Sequence, residues 1–303
     1  MPVRSMQHLG LTLPDVEVGR VFYADLGLEL RERENTIVAR SFGRNQDQIL
    51  MVEGARKSVH HICFGTRDDE LAAIQRNLEA HGIKLLDPPR QAAGDGIWFH
   101  DPDGVLVNIR IAGPAPARTD PEWIVNTPGH YRRVNQRGYP DLNVKIQPRR
   151  MSHLILFSPD VVRKRNFYVD VLGLVLSDYI GNFIAFLRTV APSDHHVIGF
   201  LQSERPGLHH CAFEVGNVDE IEIGARRMIE KGYTHVWGLN RHVQGSNFFH
   251  YLRDPWNSMV EYFCDIDFIG EGGNWDAKDW SSEKPIFAWG SPMPEDFGKN
   301  FEP

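Results

Sequence analysis

Three short sequence patterns occur twice in this chain, in the same order. They are a His-Leu segment, a His-His pair, and an Asp-Pro turn followed by an apolar run. Corresponding residues are separated by 53 and then 47 residues in the first copy (positions 8, 61 and 108), and by 57 and then 51 in the second (positions 153, 210 and 261). A triple match of this kind predicts a duplicated domain.

The repeat predicts how the chain is divided. Residues 1–112 would form the first domain and residues 150–269 the second. The segment 113–149 is rich in Pro, Arg and Asn and lacks periodicity, so we expect an ordered connector that packs on either domain. Residues 270–303 would form a C-terminal tail.

Each domain divides again into two similar units. In the third unit a strand over 152–158 precedes Ser158-Pro159-Asp160, which predicts a helix with Ser158 as its cap and Pro159 at its first position. Gly173 would end this helix, and three strands follow. Strand–helix–three strands, twice per domain, predicts an α+β fold whose sheets curl around a cavity.

Composition excludes several classes of function. The net charge is −7 and there is no long basic run, so nucleic acid and anionic membranes are poor partners. We find no apolar run near 18 residues and no signal-peptide pattern. The three cysteines are an odd number without a CxxC motif, which indicates a reducing, cytoplasmic location and excludes a thiolate zinc site.

The second copy of the repeat offers three metal ligands on strands: His153, one histidine of the pair His209-His210, and Glu261. Two imidazoles and one carboxylate are the facial set that leaves open positions on Fe(II) or Mn(II). A single strand histidine is more often structural than a ligand, and a single glutamate is as often on the surface. Recurrence at equivalent repeat positions favours the metal site. Since adjacent strand residues face opposite sides, only one histidine of the pair should bind.

The segments HLILF, FYVDVLGLVLSD, LHHCAF and NRH…FFHYLRDPWNSMVEYF lie between residues 150 and 265. Together they resemble type I extradiol ring-cleaving dioxygenases, which belong to the vicinal oxygen chelate superfamily of paired βαβββ modules. The resemblance implies that His210 is the ligand of the pair. The corresponding positions of the first half hold His8, His61 and Asn108, and because Asn is a poor ligand that half should be a metal-free copy.

The resemblance also implies roles for residues around the metal. His196 matches the acid–base histidine of the family, although its neighbour His195 has almost the same spacing from the second ligand. His242 matches a histidine that contacts substrate or stabilises bound dioxygen. Tyr251 matches a tyrosine that bonds a catechol oxygen, with a core aromatic as its alternative interpretation.

The function implied by the resemblance is extradiol cleavage of a catechol by dioxygen at one Fe(II), with Mn(II) as the other metal, in a homo-oligomer. Trp237 stands where an arginine would favour an acidic catechol, and the segment 183–186 and Trp256 are apolar, so we expect a substrate with little negative charge. The tryptophan-rich tail would close the active site or a subunit interface, or merely cover the second domain.

Two other functions are compatible with the same scaffold. A glyoxalase-type lyase or isomerase would use Zn or Ni and a fourth protein ligand, commonly a second Glu, but Asn108 occupies that position in the first half. An antibiotic-binding protein would lack a metal and would be about half as long. The three candidate ligands argue against this second alternative.

Overall fold

The protein was analysed as a computed structural model, which describes residues 2–33, 36–92, 94–115, 120–283 and 286–302. The helices and strands of the first half are β1 (Ser5–Leu13), α1 (Val16–Asp25), β2 (Glu29–Arg33), β3 (Thr36–Arg40), β4 (Ile49–Glu53), β5 (Ser58–Thr66), α2 (Asp68–Ala80), β6 (Ile97–His100) and β7 (Leu106–Ile111).

The second half and the tail supply β8 (Arg150–Ser158), α3 (Val161–Asp170), β9 (Val175–Ile180), β10 (Ile184–Arg188), β11 (Ser193–Asp194), β12 (Ile198–Gln202), β13 (Gly207–Glu214), α4 (Val218–Glu230), β14 (His235–His242), β15 (Phe248–Arg253), β16 (Met259–Cys264), β17 (Phe268–Ile269), β18 (Lys278–Asp279) and β19 (Phe287–Trp289). Among the described residues, no helix is both long and apolar enough to cross a membrane.

Each half forms its own large mixed sheet. The strand order is β2-β3-β4-β1-β5-β7-β6 in the first half and β18-β9-β10-β12-β8-β13-β16-β15-β14-β19 in the second. In both sheets the first strands of the two units are antiparallel neighbours at the centre, and each pairs in parallel with the last strand of its own unit. The predicted α+β fold with two sheet domains is therefore confirmed.

Two details of the predicted units are wrong. Helix α3 is capped by Asp160, whose carboxylate accepts from Arg163 N at 2.9 Å, while Ser158 Oγ accepts from Asp160 N one step earlier. In the second unit, the described residues after α2 form only β6 and β7. A single bridge between Leu86 and Trp98 lies where a further strand was expected. The predicted helix end is found, since Gly173 has φ +72° and lies just beyond α3.

Repeated residues join the two halves. The hydroxyl of Tyr168 in α3 donates to Asp101 Oδ2 at 3.0 Å, and the buried ammonium of Lys164 pairs with Asp101 and Asp103 at 3.0 and 2.9 Å. Asp101 also accepts the backbone N–H groups of its own turn, as Asp254 does in the second half. One hydrophobic cluster runs through both halves. The first half thus packs directly against the second half.

The connector is more exposed than expected. Its C-terminal end contacts α4, where Arg227 donates to the carbonyls of Leu142 and Val144. Residues 121–143 are mostly exposed, and a bridge between Thr127 and His130 folds part of this segment into a small hairpin-like loop. The middle of the connector is therefore largely exposed, and its contacts with the second domain lie beside α4.

Candidate metal centre and active site

Three adjacent strands at the centre of the second sheet carry the predicted ligands. His153 lies on β8, His210 on β13 and Glu261 on β16. Ala212 is the cross-strand partner of both His153 and Glu261, and His210 precedes it by two residues. Because cross-strand partners and residues two apart share a face, all three side chains project to the same side.

The ligand atoms converge on one point. His153 Nε2 and His210 Nε2 each lie 3.3 Å from Glu261 Oε2, and one ligand atom from each residue lies within 4.8 Å of the other two. All three residues are buried, and burial lowers the pKa of His210 well below 6.5. His210 is therefore a neutral imidazole, the form that binds metals.

The hydrogen bonds of His209 and His210 determine which ring nitrogen of His210 carries no proton. Nε2 of His209 lies 2.9 Å from the carbonyl of Phe297, which can only accept, so His209 carries its proton on Nε2. Nδ1 of His209 must then accept from Nδ1–H of His210, 2.7 Å away. Nε2 of His210 is left without a proton and without a hydrogen-bond partner among the described residues. A buried lone pair aimed at a carboxylate fits a metal ion.

A bulge explains how both histidines of the pair reach the pocket. The pairing register of β13 with β8 shifts between Leu208 and His210, so His209 is the extra residue. The expectation that strand alternation sends the two rings to opposite faces is wrong at this position. Both rings line the pocket, but only His210 belongs to the group of converging ligand atoms.

The equivalent site of the first half is closed by its own hydrogen bonds. His8 Nε2 and His61 Nε2 are 2.7 Å apart, and Asn108 donates to two backbone carbonyls of its own domain at 3.3 Å. Cys63 takes the place of Ala212 and donates from Sγ to Asn108 Oδ1 at 3.0 Å. Within the described residues, this half holds no comparable group of three metal ligands.

A pocket of about 640 Å³ opens in front of the converging ligands. Its polar lining consists of five histidines, Gln244 and Tyr251, and its described lining includes no Lys, Arg, Asp or Glu. The remaining lining residues are Ile155, Phe183, Ile184, Phe186, Leu201, Ile286, Met293, Phe297 and Gly298. The pocket thus offers an apolar wall opposite a polar floor.

His196 lines the pocket, with its ring centroid 4.3 Å from that of His153. His195 lies behind it, fully buried, and does not line the pocket. Of the two neighbours that the sequence left open, His196 is the one that a bound molecule can touch. Burial, together with the nearby histidines, lowers its pKa well below 6.5.

His242 and Tyr251 form a second polar pair on the pocket wall. Nδ1–H of His242 donates to the carbonyl of Ile286 at 2.9 Å, so its Nε2 accepts from the Tyr251 hydroxyl at 3.0 Å. Burial and the charge of Glu261 raise the pKa of Tyr251 well above 10. The hydroxyl therefore stays protonated, and its oxygen can accept a hydrogen bond from a molecule in the pocket.

A family model described as "Glyoxalase/Bleomycin resistance protein/Dioxygenase superfamily" matches residues 5–109 and 150–262. The chain belongs to this superfamily. It is 37% identical over 302 residues to metapyrocatechase 2 of Cupriavidus necator, across 99% of this chain and 93% of that protein. The predicted resemblance to extradiol dioxygenases is confirmed.

Two more distant members of the superfamily extend the comparison. An iron-dependent extradiol dioxygenase of Rhodococcus jostii is 24% identical over 252 residues, covering 77% of this chain and 76% of its own length. The crystal structure of a Mn(II)-bound glyoxalase from Novosphingobium aromaticivorans superposes with a TM-score of 0.78 at 25% identity, covering 100% of this chain and 94% of that one.

The tail supplies site residues that the sequence did not identify. Met293, Phe297 and Gly298 line the pocket, and the ring of Phe297 packs on His209, Tyr251 and Trp237. A buried ion pair between Glu302 and Lys57 of the first half, 2.5 Å long, fastens the end of the tail. Of the roles expected for the tail, covering the pocket matches these contacts. The high aromatic content was the available signal, but it does not specify which ring enters the site.

We expect Phe297→Ala to weaken substrate binding and to leave the metal in place. The substitution removes the ring that covers the pocket but keeps the backbone carbonyl that orients His209. KM for the substrate should rise about 10-fold, as expected when roughly 1.4 kcal/mol of apolar contact is lost. Phe301→Ala, in the same tail but stacked on Arg253, is the matched control and should leave KM unchanged. Loss of metal in Phe297→Ala would contradict this role.

Proposed function

We propose that this chain opens the ring of a catechol beside its two hydroxyl groups, using dioxygen and one Fe(II) held by His153, His210 and Glu261. The observation that carries the proposal is the convergence of these ligand atoms beside a largely apolar pocket, in a chain 37% identical to a metapyrocatechase. Iron is favoured by the relative named as iron-dependent; the Mn(II)-bound neighbour makes manganese the alternative.

The metal, when bound, lowers the pKa of coordinated hydroxyls and provides the redox path between catechol and dioxygen. The chain's own residues hold the substrate and move its protons. Tyr251 accepts from one catechol hydroxyl while its own O–H remains hydrogen-bonded to His242. His196, next to His153, is the acid–base residue.

The pocket lining favours an uncharged substituent on the catechol. An acidic side chain on the substrate would lose its hydration without meeting a lysine or arginine from the described lining. Phe183, Ile184 and Phe186 lie in the wall, as the sequence suggested. Trp256 does not contribute, because it packs near Gly19 of the first half. We propose an alkyl- or aryl-substituted catechol.

Anaerobic loading with Fe(II), followed by a panel of catechols and dioxygen, tests this function. We expect a yellow ring-opened product, with kcat/KM at least 10-fold higher for alkyl or aryl catechols than for carboxylated ones. Zinc-dependent turnover of a hemithioacetal would instead support the lyase alternative, which the glyoxalase neighbour keeps relevant. Tight antibiotic binding without turnover of either substrate would support a binding protein.

Glu261→Gln should abolish retention of iron. The substitution removes the one negative ligand while keeping shape, and Asn247 can still bond the remaining oxygen. Iron per chain after desalting should fall from near one to near zero, measured by elemental analysis. Glu230→Gln, at the exposed end of α4, is the control. Unchanged iron content in Glu261→Gln would refute the ligand assignment.

We further propose that the chain self-associates through the connector. Between Trp123 and Leu142, seven large apolar side chains are 37–74% exposed, including Tyr131 and Tyr139. Their combined area, on the order of 700 Å², approaches the roughly 800 Å² per partner of a stable interface. Residues 121–143 carry three arginines and two acidic residues, a charge of +1 against −8 for the remainder, which favours the acidic body of a second copy.

We place the protein in the cytoplasm, where its three free, buried cysteines stay reduced.

Sedimentation velocity should show a species larger than the 34.6 kDa monomer. Val134→Asp, in the connector, should shift it toward monomer by placing a charge in the interface. Val21→Asp is the matched control, since Val21 is similarly exposed (55% against 62%) but lies on α1. A monomeric wild-type protein at micromolar concentration would end this proposal.

A further inference from the structure

A line of three buried side chains leads away from the pocket behind His196. Nδ1 of His196 lies 3.0 Å from Nδ1 of His195, and Nε2 of His195 lies 3.3 Å from Oδ2 of Asp178 on β9. Asp178 is 4% exposed and both histidines are equally enclosed. Neither His195 nor Asp178 lines the pocket or belongs to the group of converging ligand atoms, so the proposed function as stated assigns them no role.

We infer that Asp178, acting through His195, fixes His196 in the tautomer that carries its proton on Nδ1 and presents a bare Nε2 to the pocket. This inference rests on the proposed function and adds a positioning residue to it. A carboxylate only accepts hydrogen bonds, so His195 must donate from Nε2. With its ring proton on Nε2, His195 accepts at Nδ1, and His196 donates from Nδ1.

The tail holds Asp178 in this orientation. Its other oxygen, Oδ1, accepts from the backbone N–H of Lys278 at 2.9 Å, which leaves Oδ2 for His195. The ring of Trp275 packs edge-on against His195, with centroids 5.2 Å apart, and its Nε1–H donates to the carbonyl of Ser177. These contacts enclose the carboxylate and the imidazole from the side away from the pocket.

The ligand pair His209–His210 shows the same wiring in this chain. There the anchor is the Phe297 carbonyl, the rings again meet through Nδ1, and the inner ring presents Nε2 to the site. The anchor of His195 differs in being a side chain, which can be substituted. The tautomer of His196 is therefore open to an experimental test that the tautomer of His210 does not offer.

The tautomer of His196 determines whether this residue can accept the first proton of the substrate. A bare Nε2 accepts the proton of a catechol hydroxyl, the O–H bond breaks, and the oxygen keeps the electron pair. The resulting imidazolium keeps Nδ1–H directed at His195, and the carboxylate of Asp178 at the end of the line favours the positive charge. With the opposite tautomer, Nε2 would already hold a proton and could not take the first one.

Asp178→Asn is the decisive substitution because it should reverse the donor and acceptor in both hydrogen bonds, the one between residue 178 and His195 and the one between His195 and His196. The single oxygen of the new amide is required by the N–H of Lys278, so the amide NH₂ faces His195 and donates to it. His195 would then donate from Nδ1, and His196 would carry its proton on Nε2. Asp279→Asn is the matched control. Asp279 follows Lys278 in β18, and its carboxylate accepts from Gly181 and Ser281 rather than from either histidine.

Long-range ¹H–¹⁵N correlation spectra of histidine-labelled, metal-free protein report which ring nitrogen is protonated. We expect His196 to be protonated on Nδ1 in the wild type and in Asp279→Asn, and on Nε2 in Asp178→Asn. In the Fe(II)-loaded enzyme, kcat of Asp178→Asn should fall on the order of 100-fold, the lower end of the range for a general base, with KM nearly unchanged. His195→Phe, which cuts the line, should give a mixture of tautomers.

A wild-type His196 protonated on Nε2 would overturn the inference without any variant being made. An unaltered tautomer in Asp178→Asn would overturn it as well, and so would a fall in activity that follows only a lowered unfolding midpoint. Because the spectra need neither metal nor turnover, failure of the wild-type protein to cleave any catechol would refute the proposed function, while the tautomer of His196 would still be decided by the spectra.

Discussion

The burial of one negative charge governs the second sheet. Glu261 is completely buried on a central strand, where the amide of Asn247 donates to it at 3.0 Å. His210, which lies against it, is held neutral by burial. A buried carboxylate that faces a neutral imidazole is costly, and a divalent cation between them would remove that cost. A metal ion held there would therefore contribute to the stability of this sheet as well as to its chemistry.

The first half shows what the same frame becomes without that charge. Asn108, a neutral amide at the position of Glu261, bonds backbone carbonyls and the thiol of Cys63, and His8 and His61 bond each other. Each of these groups has a hydrogen-bond partner without a cation, although Nδ1 of His8 is left unpaired among the described residues. Cys63 also fills the space that Ala212 leaves open in the second half. At two repeat positions, a carboxylate in place of an amide and a methyl group in place of a thiol thus separate an arrangement that offers metal ligands from one bonded within itself.

The sequence predicted those parts of the structure that repeat. Duplicated landmarks located the strands that carry His153, His210 and Glu261, because strand order follows the repeat. The details that failed depend on contacts distant in sequence or on local register. The bulge at His209 is visible only in its pairing with β8, and the position of Phe297 in the pocket depends on contacts of the tail with distant residues, such as the ion pair of Glu302 with Lys57. The cap of α3 moved from Ser158 because Asp160 offers a stronger acceptor nearer the helix.

Three pairs of adjacent histidines occur in the sequence, and they differ in whether a hydrogen-bond acceptor holds the outer ring of the pair. The Nδ1–Nδ1 distances are 2.8, 3.0 and 2.7 Å for the pairs at 60–61, 195–196 and 209–210. An acceptor, Asp178 or the Phe297 carbonyl, anchors the outer ring in the two pairs whose inner ring faces the pocket. For His60, no such acceptor is found among the described residues, and the inner ring of that pair bonds His8 instead. The anchor is thus present in the two pairs whose inner nitrogen is proposed to bind a metal or a substrate proton.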